Sequence, residues 1–314
     1  MLYALCDFPP RWLGGRRASR GQWTKKNRMG TILDIFVLGS IWGALYALIA
    51  SGFTLIFGVA GIINLSHGSF YMLGAYLAFT FVSLIKINVP TAILMAVAVT
   101  ALAGMVIDRF GIRPMRDRHV YVLILTLAFA LFFQELMYAV YGPYGKAVEP
   151  FFKGEITLGS LYISHQKVFT FFISAGLVIL LFLFIGKTKT GKSISAVAQN
   201  KDAAILVGIY DERVYLITAG ISAGLAAVAG AFIAPILEAV PTMWVFPMFR
   251  AFAIVILGGL GSLGGAIIAS LLLGYSETVV SLLISSNYTD MVYLAAAVTV
   301  LVFRPTGLMS RKRH

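Results

Sequence analysis

Long hydrophobic segments alternate with short polar connections along almost the whole chain. After residue 28, the apolar runs cover about 32–50, 52–64, 69–85, 90–108, 119–141, 167–186, 214–236, 247–260, 262–284 and 289–304. At about 1.5 Å per residue the longer runs can cross a hydrocarbon core roughly 30 Å thick, but the second and eighth are too short. The pattern therefore predicts an all-α polytopic membrane protein with about 8–10 transmembrane or half-membrane helices.

A polar turn, Asn64-Leu65-Ser66-His67-Gly68-Ser69, interrupts the first apolar runs. A polar break at membrane depth is tolerated only where protein buries it or a watery cavity faces it. Broken helices of this kind are also the best pointer in a sequence to a transport site. The candidate residues of a solute pathway are therefore Asn64, Ser66, His67, Gly68 and Ser69. Two interpretations of His67 stay open, since it could line a route or bond a neighbouring carbonyl.

Composition and the placement of charge support a membrane protein. Hydrophobic residues make up 59% of the chain and charged residues 12%, against about 25% in a typical soluble chain. The mean hydropathy is +0.88. The net charge of +12 does not indicate nucleic-acid binding, because the basic residues cluster in short segments between apolar runs.

The same basic residues predict an orientation. If both termini are cytoplasmic and all ten runs cross, 20 of the 25 Lys and Arg residues lie inside, as the positive-inside rule requires. This count needs residues 32–50 and 52–64 to form a broken hairpin. A single long helix over 32–64 would place the N-terminal bases outside.

The sequence divides into three parts. Residues 1–28 form a predicted basic cytoplasmic extension without the hydrophobic core of a secretory signal, and Met29 is a possible true start. Residues 29–309 form the transmembrane domain, and residues 310–314 a basic cytoplasmic tail. The single cysteine, Cys6, excludes an intramolecular disulfide and a multi-cysteine metal cluster.

The longest internal polar loop, residues 187–213, contains a helix-like stretch from Ser193 to Val207. Ser193 is its predicted N-cap, and Gly208 follows where a C-terminal glycine is expected. The stretch is too polar to insert and too apolar for a linker, so it predicts an interfacial helix or one that docks a partner.

A glycine-rich segment, Gly259-Leu-Gly261-Ser-Leu-Gly264, matches the dinucleotide-binding fingerprint. No acidic residue follows at the required distance and no strand-helix series continues, so a nucleotide site is disfavoured. Small residues instead let helices approach closely in lipid, and the same glycines, with Gly258 and Gly265, would allow a kink.

Few residues could carry reaction chemistry. The four histidines (His67, His119, His165 and His314) are scattered, and the spacing shows no metal site or catalytic pair. An intramembrane enzyme is therefore disfavoured, while a self-sufficient secondary transporter remains an alternative. Glu277 lies within an apolar run, where a carboxylate is either functional or part of a structural ion pair.

Three segments carry a resemblance to a known family. GSIWGALYALIASGFTLIFGVAGIINLSHGSFYMLGAYLAF (39–79) resembles the opening of the H-type permeases of branched-chain amino acid ABC transporters. AVAQNKDAAILVGIYDERV (196–214) resembles the family's cytoplasmic coupling loop, and FRAFAIVILGGLGSLGGAIIASLLLGYSETV (249–279) its glycine-rich region, with Glu277 matching a family glutamate. The closing RPTGL (304–308) also agrees.

The resemblance implies the ABC importer permease fold and a subunit without catalytic residues in a prokaryotic plasma (inner) membrane. Its implied partners are an M-type permease, two ATPase subunits that use ATP, and an extracytoplasmic binding protein; no cofactor is implied in this chain. The implied pathway adds Glu277, Gly259 and Gly261, and the implied ATPase contacts are Ala198, Gln199, Asn200, Asp202 and Gly208. Arginine is usual early in this loop, where the chain has Ser195, Ala196 and Val197. The substrate implied is a branched-chain or other hydrophobic amino acid, with urea, short-chain amides or, in a broader class, simple sugars as alternatives.

Overall fold

The computed structural model describes residues 25–158, 161–304 and 307–309. The residues described are almost all helical. The helices are α1 (Lys25–Ala60), α2 (Ser66–Phe79), α3 (Val89–Val106), α4 (His119–Tyr141), α5 (His165–Lys187), α6 (Lys189–Gln199), α7 (Lys201–Leu206), α8 (Asp211–Ile233), α9 (Val245–Gly258), α10 (Leu263–Leu283) and α11 (Thr289–Phe303). An antiparallel hairpin pairs β1 (Glu155–Leu158) with β2 (Leu161–Ser164).

Short irregular turns extend some of these helices. A π-helical turn continues α2 over Thr80–Leu84, and another continues α3 over Ile107–Ile112 before the 3₁₀ turn Arg113–Met115. A further 3₁₀ turn, Ser286–Tyr288, precedes α11. Among the described residues, seven helices are long and apolar enough to cross a membrane. The chain is a multi-pass membrane protein.

The first helix does not break where the sequence predicted. α1 runs without interruption from Lys25 to Ala60, so the predicted hairpin between residues 32–50 and 52–64 is wrong. Ser51, which separates the two apolar runs, and Gly52, which begins the second, are both buried inside the helix. The helix accommodates Gly52 because the missing side chain leaves room for the ring of His67. The count of 20 inside bases depended on this hairpin and does not hold for a continuous α1.

The eighth apolar run is short, as predicted, and forms the 14-residue helix α9. Residues 1–24 and 310–314, which include most of the predicted basic extension and the whole tail, lie outside the described residues.

Helix α8 lies at the centre of the bundle, and most of its residues are buried. It packs against α1, α2, α3 and α5. Two glycines permit its closest contact: a Cβ at Gly74 of α2 would lie 2.2 Å from the carbonyl oxygen of Ala227, and one at Gly230 would lie 1.8 Å from that of Tyr71. The backbones of α2 and α8 therefore touch, as small residues allow in membrane helices.

Helices α1 and α10 form the most extensive helix pair, and they are antiparallel. Gly43 of α1 faces Gly274 of α10, where an added Cβ would lie 2.6 Å from the Gly43 backbone, and Gly58 faces Gly261. The start of α1 therefore lies beside the end of α10, and the end of α1 beside its start.

The two ends of the bundle carry different structures. We name them the hairpin end, which carries β1 and β2, and the docking end, which carries α6 and α7. Lys146 pairs with Ala239 at the hairpin end, where α8 finishes. α6 contacts α1, α5 and α8 at the docking end. α9 follows Ala239, and α1 runs parallel to α9, since Tyr46 contacts Arg250 and Gly58 contacts Gly261. α1 therefore begins at the hairpin end and finishes at the docking end.

The predicted helix from Ser193 to Val207 is instead two helices, α6 and α7. Asn200 separates them in an extended conformation (φ −155°, ψ 107°), and its side chain accepts from the amide of Ala203 to cap α7. The N-cap of α6 is Thr188 rather than Ser193, because Thr188 Oγ1 accepts from Gly191 N at 2.9 Å. Gly208 follows α7 with φ +83°, and it ends the helix as predicted.

Candidate functional site

The polar break lies between the end of α1 and the start of α2, and its polar groups are satisfied within the subunit. The Asn64 Oδ1 atom accepts from Ser66 N at 3.0 Å and from the Ser66 hydroxyl at 2.6 Å. Leu65 N donates to Thr126 Oγ1 of α4 at 3.2 Å, and Ser69 Oγ donates to Ser66 O at 2.7 Å. The break is therefore held by side chains in place of helical hydrogen bonds.

His67 ties this break to two other helices. Its ring is fully buried, and Nε2 lies 3.0 Å from the carbonyl oxygen of Ile49 in α1. Because a carbonyl can only accept, Nε2 carries the hydrogen and donates. In the uncharged ring Nδ1 then accepts from the hydroxyl of Ser222 in α8, at 3.1 Å. His67 thus joins α1, α2 and α8 at one point.

A second helix start meets the first at the same depth. A Cβ at Gly68 would lie 2.7 Å from the carbonyl oxygen of Trp244 and 2.9 Å from Met248 Cβ, so the start of α9 touches the start of α2. Ser222 lies about 16 Å along α8 from its start, at 1.5 Å per residue, so this meeting point is near the middle of the bundle. The Trp244 indole donates to Gln134 Oε1 of α4 at 2.8 Å.

Glu277 lies in a different cluster, between α1, α9, α10 and α11. Arg250 of α9 donates to the Tyr46 hydroxyl at 2.7 Å and to Asp290 Oδ1 at 2.9 Å, and its Nη2 lies 3.3 Å from Glu277 Oε1. Glu277 Oε2 accepts from the Tyr46 hydroxyl at 2.7 Å and from the Tyr293 hydroxyl. The carboxylate is thus paired with a cation and two phenols.

This cluster is nearly dry. The Arg250 and Glu277 side chains are 20% and 12% exposed, whereas that of Asp290 is 56% exposed at the hairpin end. A cavity of about 190 Å³ beside Glu277 is also lined by Trp42 and Ser281. Glu277 therefore forms an interhelical ion pair and also borders a cavity, so both interpretations of this carboxylate stay open.

The structure does not bring Glu277 together with residues 64–69, but α1 connects the two clusters. Tyr46 bonds to Glu277, and Ile49, one helical turn further along α1, bonds to His67. A displacement of this turn would therefore affect both clusters at once.

The glycine-rich turn lies at the docking end and joins two helices rather than a strand and a helix. Gly259 and Gly261 have φ of +103° and +81°, values that side chains rarely adopt. A Cβ at Gly265 would lie 2.0 Å from the carbonyl oxygen of Gly258, and one at Gly307 would lie 2.4 Å from the Gly259 backbone. Close packing, rather than nucleotide binding, explains these glycines.

The residues predicted to contact an ATPase lie on and between α6 and α7. Gln199, Asn200, Asp202 and Gly208 are exposed, while Ala198 packs against the core. Ile194, Val197 and Ala204 are buried and fix the two helices to the bundle. The loop therefore has a buried anchoring face and an exposed face.

Sequence reasoning missed two groups of residues. Leu206 and Val207 are 88% and 77% exposed beside the predicted ATPase contacts, and they form an apolar tip on this loop. Arg250 is one of the five basic residues that the orientation count leaves outside, but it is paired inside the bundle. A lone arginine within an apolar run is itself an indication of a buried partner, and Glu277 was available to suggest it.

A bundle of membrane-spanning helices with two short helices, α2 and α9, that begin near its centre is the arrangement expected of a transport permease. The family model described as "Branched-chain amino acid transport system / permease component" matches residues 35–302. The chain belongs to this family of permeases.

Individual relatives are similar over most of their length. The high-affinity branched-chain amino acid transport system permease protein BraD of Pseudomonas aeruginosa is 32% identical over 294 residues, which cover 89% of this chain and 96% of the relative. The corresponding protein LivH of Escherichia coli is 31% identical and covers 87% and 94%. LivM of Escherichia coli, a second permease protein of such a system, is 27% identical and covers 90% and 71%.

One solved structure shares the fold. It is PsaBC from Streptococcus pneumoniae in complex with Fab, with a TM-score of 0.50, 11% sequence identity, and coverage of 87% of this chain and 92% of that chain.

Proposed function

We propose that this chain is the H-type permease subunit of an ATP-binding-cassette importer for branched-chain or other hydrophobic amino acids. The observation that carries the proposal is the 32% identity over 96% of a permease named for branched-chain amino acid transport. The similarity to LivM supports a second, M-type permease as the partner that completes the pathway.

The docking end supports the other partners. Two ATPase subunits bind at the cytoplasmic side, where α7 presents the apolar tip Leu206 and Val207 next to Asn200 and Asp202. They hydrolyse ATP, and this chain supplies neither catalytic residues nor a cofactor. An extracytoplasmic binding protein delivers the solute at the hairpin end.

This assignment also fixes the orientation in the plasma membrane. The docking end faces the cytoplasm, and the start of α1 faces the opposite side with the hairpin. This differs from the sequence prediction that both termini are cytoplasmic, because α1 crosses only once.

The solute pathway is proposed to run past the two clusters joined by α1. Asn64, Ser66, His67, Gly68 and Ser69 hold the start of α2, since their polar groups are used within the subunit. Glu277 borders a cavity and is the residue of this set that a solute can approach from the hairpin end. Gly259 and Gly261 shape the opposite end of the route.

The test is ATP-driven uptake by the complete transporter in proteoliposomes. The proposal expects uptake of leucine, isoleucine or valine with the matching binding protein. Asn200→Ala with Asp202→Ala should leave the complex assembled but uncouple uptake from ATP hydrolysis. Gly176→Ala in α5, where the added Cβ has no atom within 4 Å, serves as the control. Uptake of urea or acetamide but not of amino acids would assign the substrate to the alternative class, and uptake by this chain without an ATPase would refute the proposal.

A further inference from the structure

A charged and aromatic cluster at the docking end lies outside the pathway described above. Its centre is Tyr215, in the second turn of α8, with only 5% of its surface exposed. Within the described part of the chain the Tyr215 hydroxyl makes no hydrogen bond, and two cations lie beside its ring. The ring, rather than the hydroxyl, makes the contacts of interest.

The first cation comes from the segment that joins α3 to α4. The guanidinium carbon of Arg116 lies 3.5 Å from the centre of the Tyr215 ring. Arg116 Nη2 also donates to Asp108 Oδ1, in the π-helical end of α3, at 3.0 Å. The Arg116 and Asp108 side chains are 12% and 7% exposed, so the stack and the ion pair are both shielded from water.

The second cation comes from α7. Lys201, the first residue of α7, has its Nζ 5.9 Å from the centre of the same ring. Its Nζ also lies 3.3 Å from Asp211 Oδ2, at the start of α8. Asp211 is one helical turn before Tyr215, so Lys201 attaches α7 to two positions on one face of α8.

A more exposed contact joins the same segments. Arg113 pairs with Glu212 of α8, with 43% and 58% of their side chains exposed. On the path through Tyr215, Lys201 is 45% exposed, as accessible as Arg113, but Arg116 and Asp108 are buried. This path is therefore the better candidate for a mechanical link because one half of it is shielded from water, whereas fully exposed ion pairs contribute little.

We propose that Tyr215 is a positioning residue that passes the movement of α7 to the cytoplasmic ends of α3 and α4. The inference rests on the proposed function, in which an ATPase moves this loop. The ring of Tyr215 contacts Lys201 of α7 and also Arg116, which is paired with Asp108. A displacement of α7 then pulls on the turn that joins two membrane-spanning helices, and α8 acts as the pivot.

The experiment uses the complete transporter in proteoliposomes and measures solute transported per ATP hydrolysed. Tyr215→Leu removes the ring face, and this ratio should fall roughly three- to thirty-fold while the ATPase remains bound. Tyr215→Phe keeps the ring and should restore a ratio close to that of the wild type. Tyr121→Leu is the matched control, because Arg118 lies 5.5 Å from the centre of this 56% exposed ring at the same end.

The outcomes separate this inference from the proposed function. If no ATPase subunit copurifies with the wild-type chain, the proposed function fails. If the ATPase binds and Tyr215→Leu transports with the wild-type ratio, or if Tyr215→Phe loses as much as Tyr215→Leu, only the inference is overturned. If Tyr215→Leu does not assemble, Lys201→Met tests the inference instead, because it removes the charge of α7 beside the Tyr215 ring. A lower ratio of solute transported to ATP hydrolysed supports the link, and an unchanged ratio refutes it.

Discussion

The Nδ1 atom of His67 lies 3.1 Å from the hydroxyl of Ser222, so the most recognisable polar turn of the sequence is bonded to the central helix of the bundle. Together with the bond to Ile49 O, this contact holds the start of α2 against α1 and α8. The primary role of His67 is therefore structural, and we expect any effect of its substitution on transport to follow from a change in the position of α2.

We expect His67→Ala to reduce uptake more than assembly. The substitution opens a space and leaves the Ile49 carbonyl and the Ser222 hydroxyl without their partner, at a cost of about 1–3 kcal/mol for the unpaired groups. The measurement is uptake per assembled complex, with thermal unfolding in detergent as the record of stability. Ser222→Ala removes only one bond and should be milder. Normal uptake per complex for His67→Ala would restrict His67 to a role in folding.

The Arg250–Glu277 pair predicts a rescue. Arg250→Met alone leaves the Glu277 carboxylate in a nearly dry site, and loss of one partner of a buried pair costs about 3–5 kcal/mol. The double variant Arg250→Met with Glu277→Gln should regain part of this stability because no buried charge remains. Thermal unfolding of the purified chain measures both.

The control for this pair is Lys153→Met. Lys153 and Glu149 form an ion pair whose side chains are 80% and 83% exposed, so its loss should leave the unfolding temperature unchanged. A double variant no more stable than Arg250→Met would contradict the ion-pair interpretation.

The contact of α2 with α8 predicts a strong effect from one methyl group. Gly74→Ala places a Cβ 2.2 Å from the carbonyl oxygen of Ala227, so the two helices must separate. Overpacking of this kind costs about 1–3 kcal/mol. Gly176→Ala in α5 has no atom within 4 Å of the new Cβ and should be neutral or slightly stabilising. Equal unfolding temperatures for the two variants would show that the backbones of α2 and α8 do not touch at Gly74.

The continuous α1 predicts which residues are labelled from each side of the membrane. In a Cys6→Ser background, a membrane-impermeant thiol reagent added outside should label Gly30→Cys and Tyr144→Cys but not Leu206→Cys. Tyr144 and Leu206 are 81% and 88% exposed at opposite ends and serve as the two references. If Tyr144→Cys is labelled from outside but Gly30→Cys, like Leu206→Cys, is not, the start of α1 lies on the side of Leu206 and the hairpin topology is restored.

The sequence alone predicted the class of helix bundle and most of its segments. Runs such as 119–141 and 167–186 are close to α4 and α5 because a hydrocarbon-spanning helix must satisfy every backbone group internally, and this requires a long apolar run. The short α9 was also predicted, since a run of 14 residues cannot span the core. Turn chemistry predicted Gly208 at the end of α7.

The errors arose where tertiary contacts decide between local alternatives. The count of basic residues favoured a hairpin between residues 32–50 and 52–64, but α1 is continuous, and the missing side chain of Gly52 leaves room for His67. Ser193 suggested an N-cap, but Thr188 takes this role because Gly191 must pack against the backbone of Phe184 and Ile185.

For the polar turn from Asn64 to Ser69, too, the sequence determined one property and the tertiary structure another. The sequence determined that this turn interrupts the membrane-spanning helices, because its polar groups cannot face lipid. Only the tertiary structure decided that they bond to Ile49, Thr126 and Ser222, and that the carboxylate of Glu277 pairs with Arg250 instead of joining them. Hydrophobicity is a property of each segment, whereas the partner of a buried polar group depends on which helices the fold brings within about 3 Å of it.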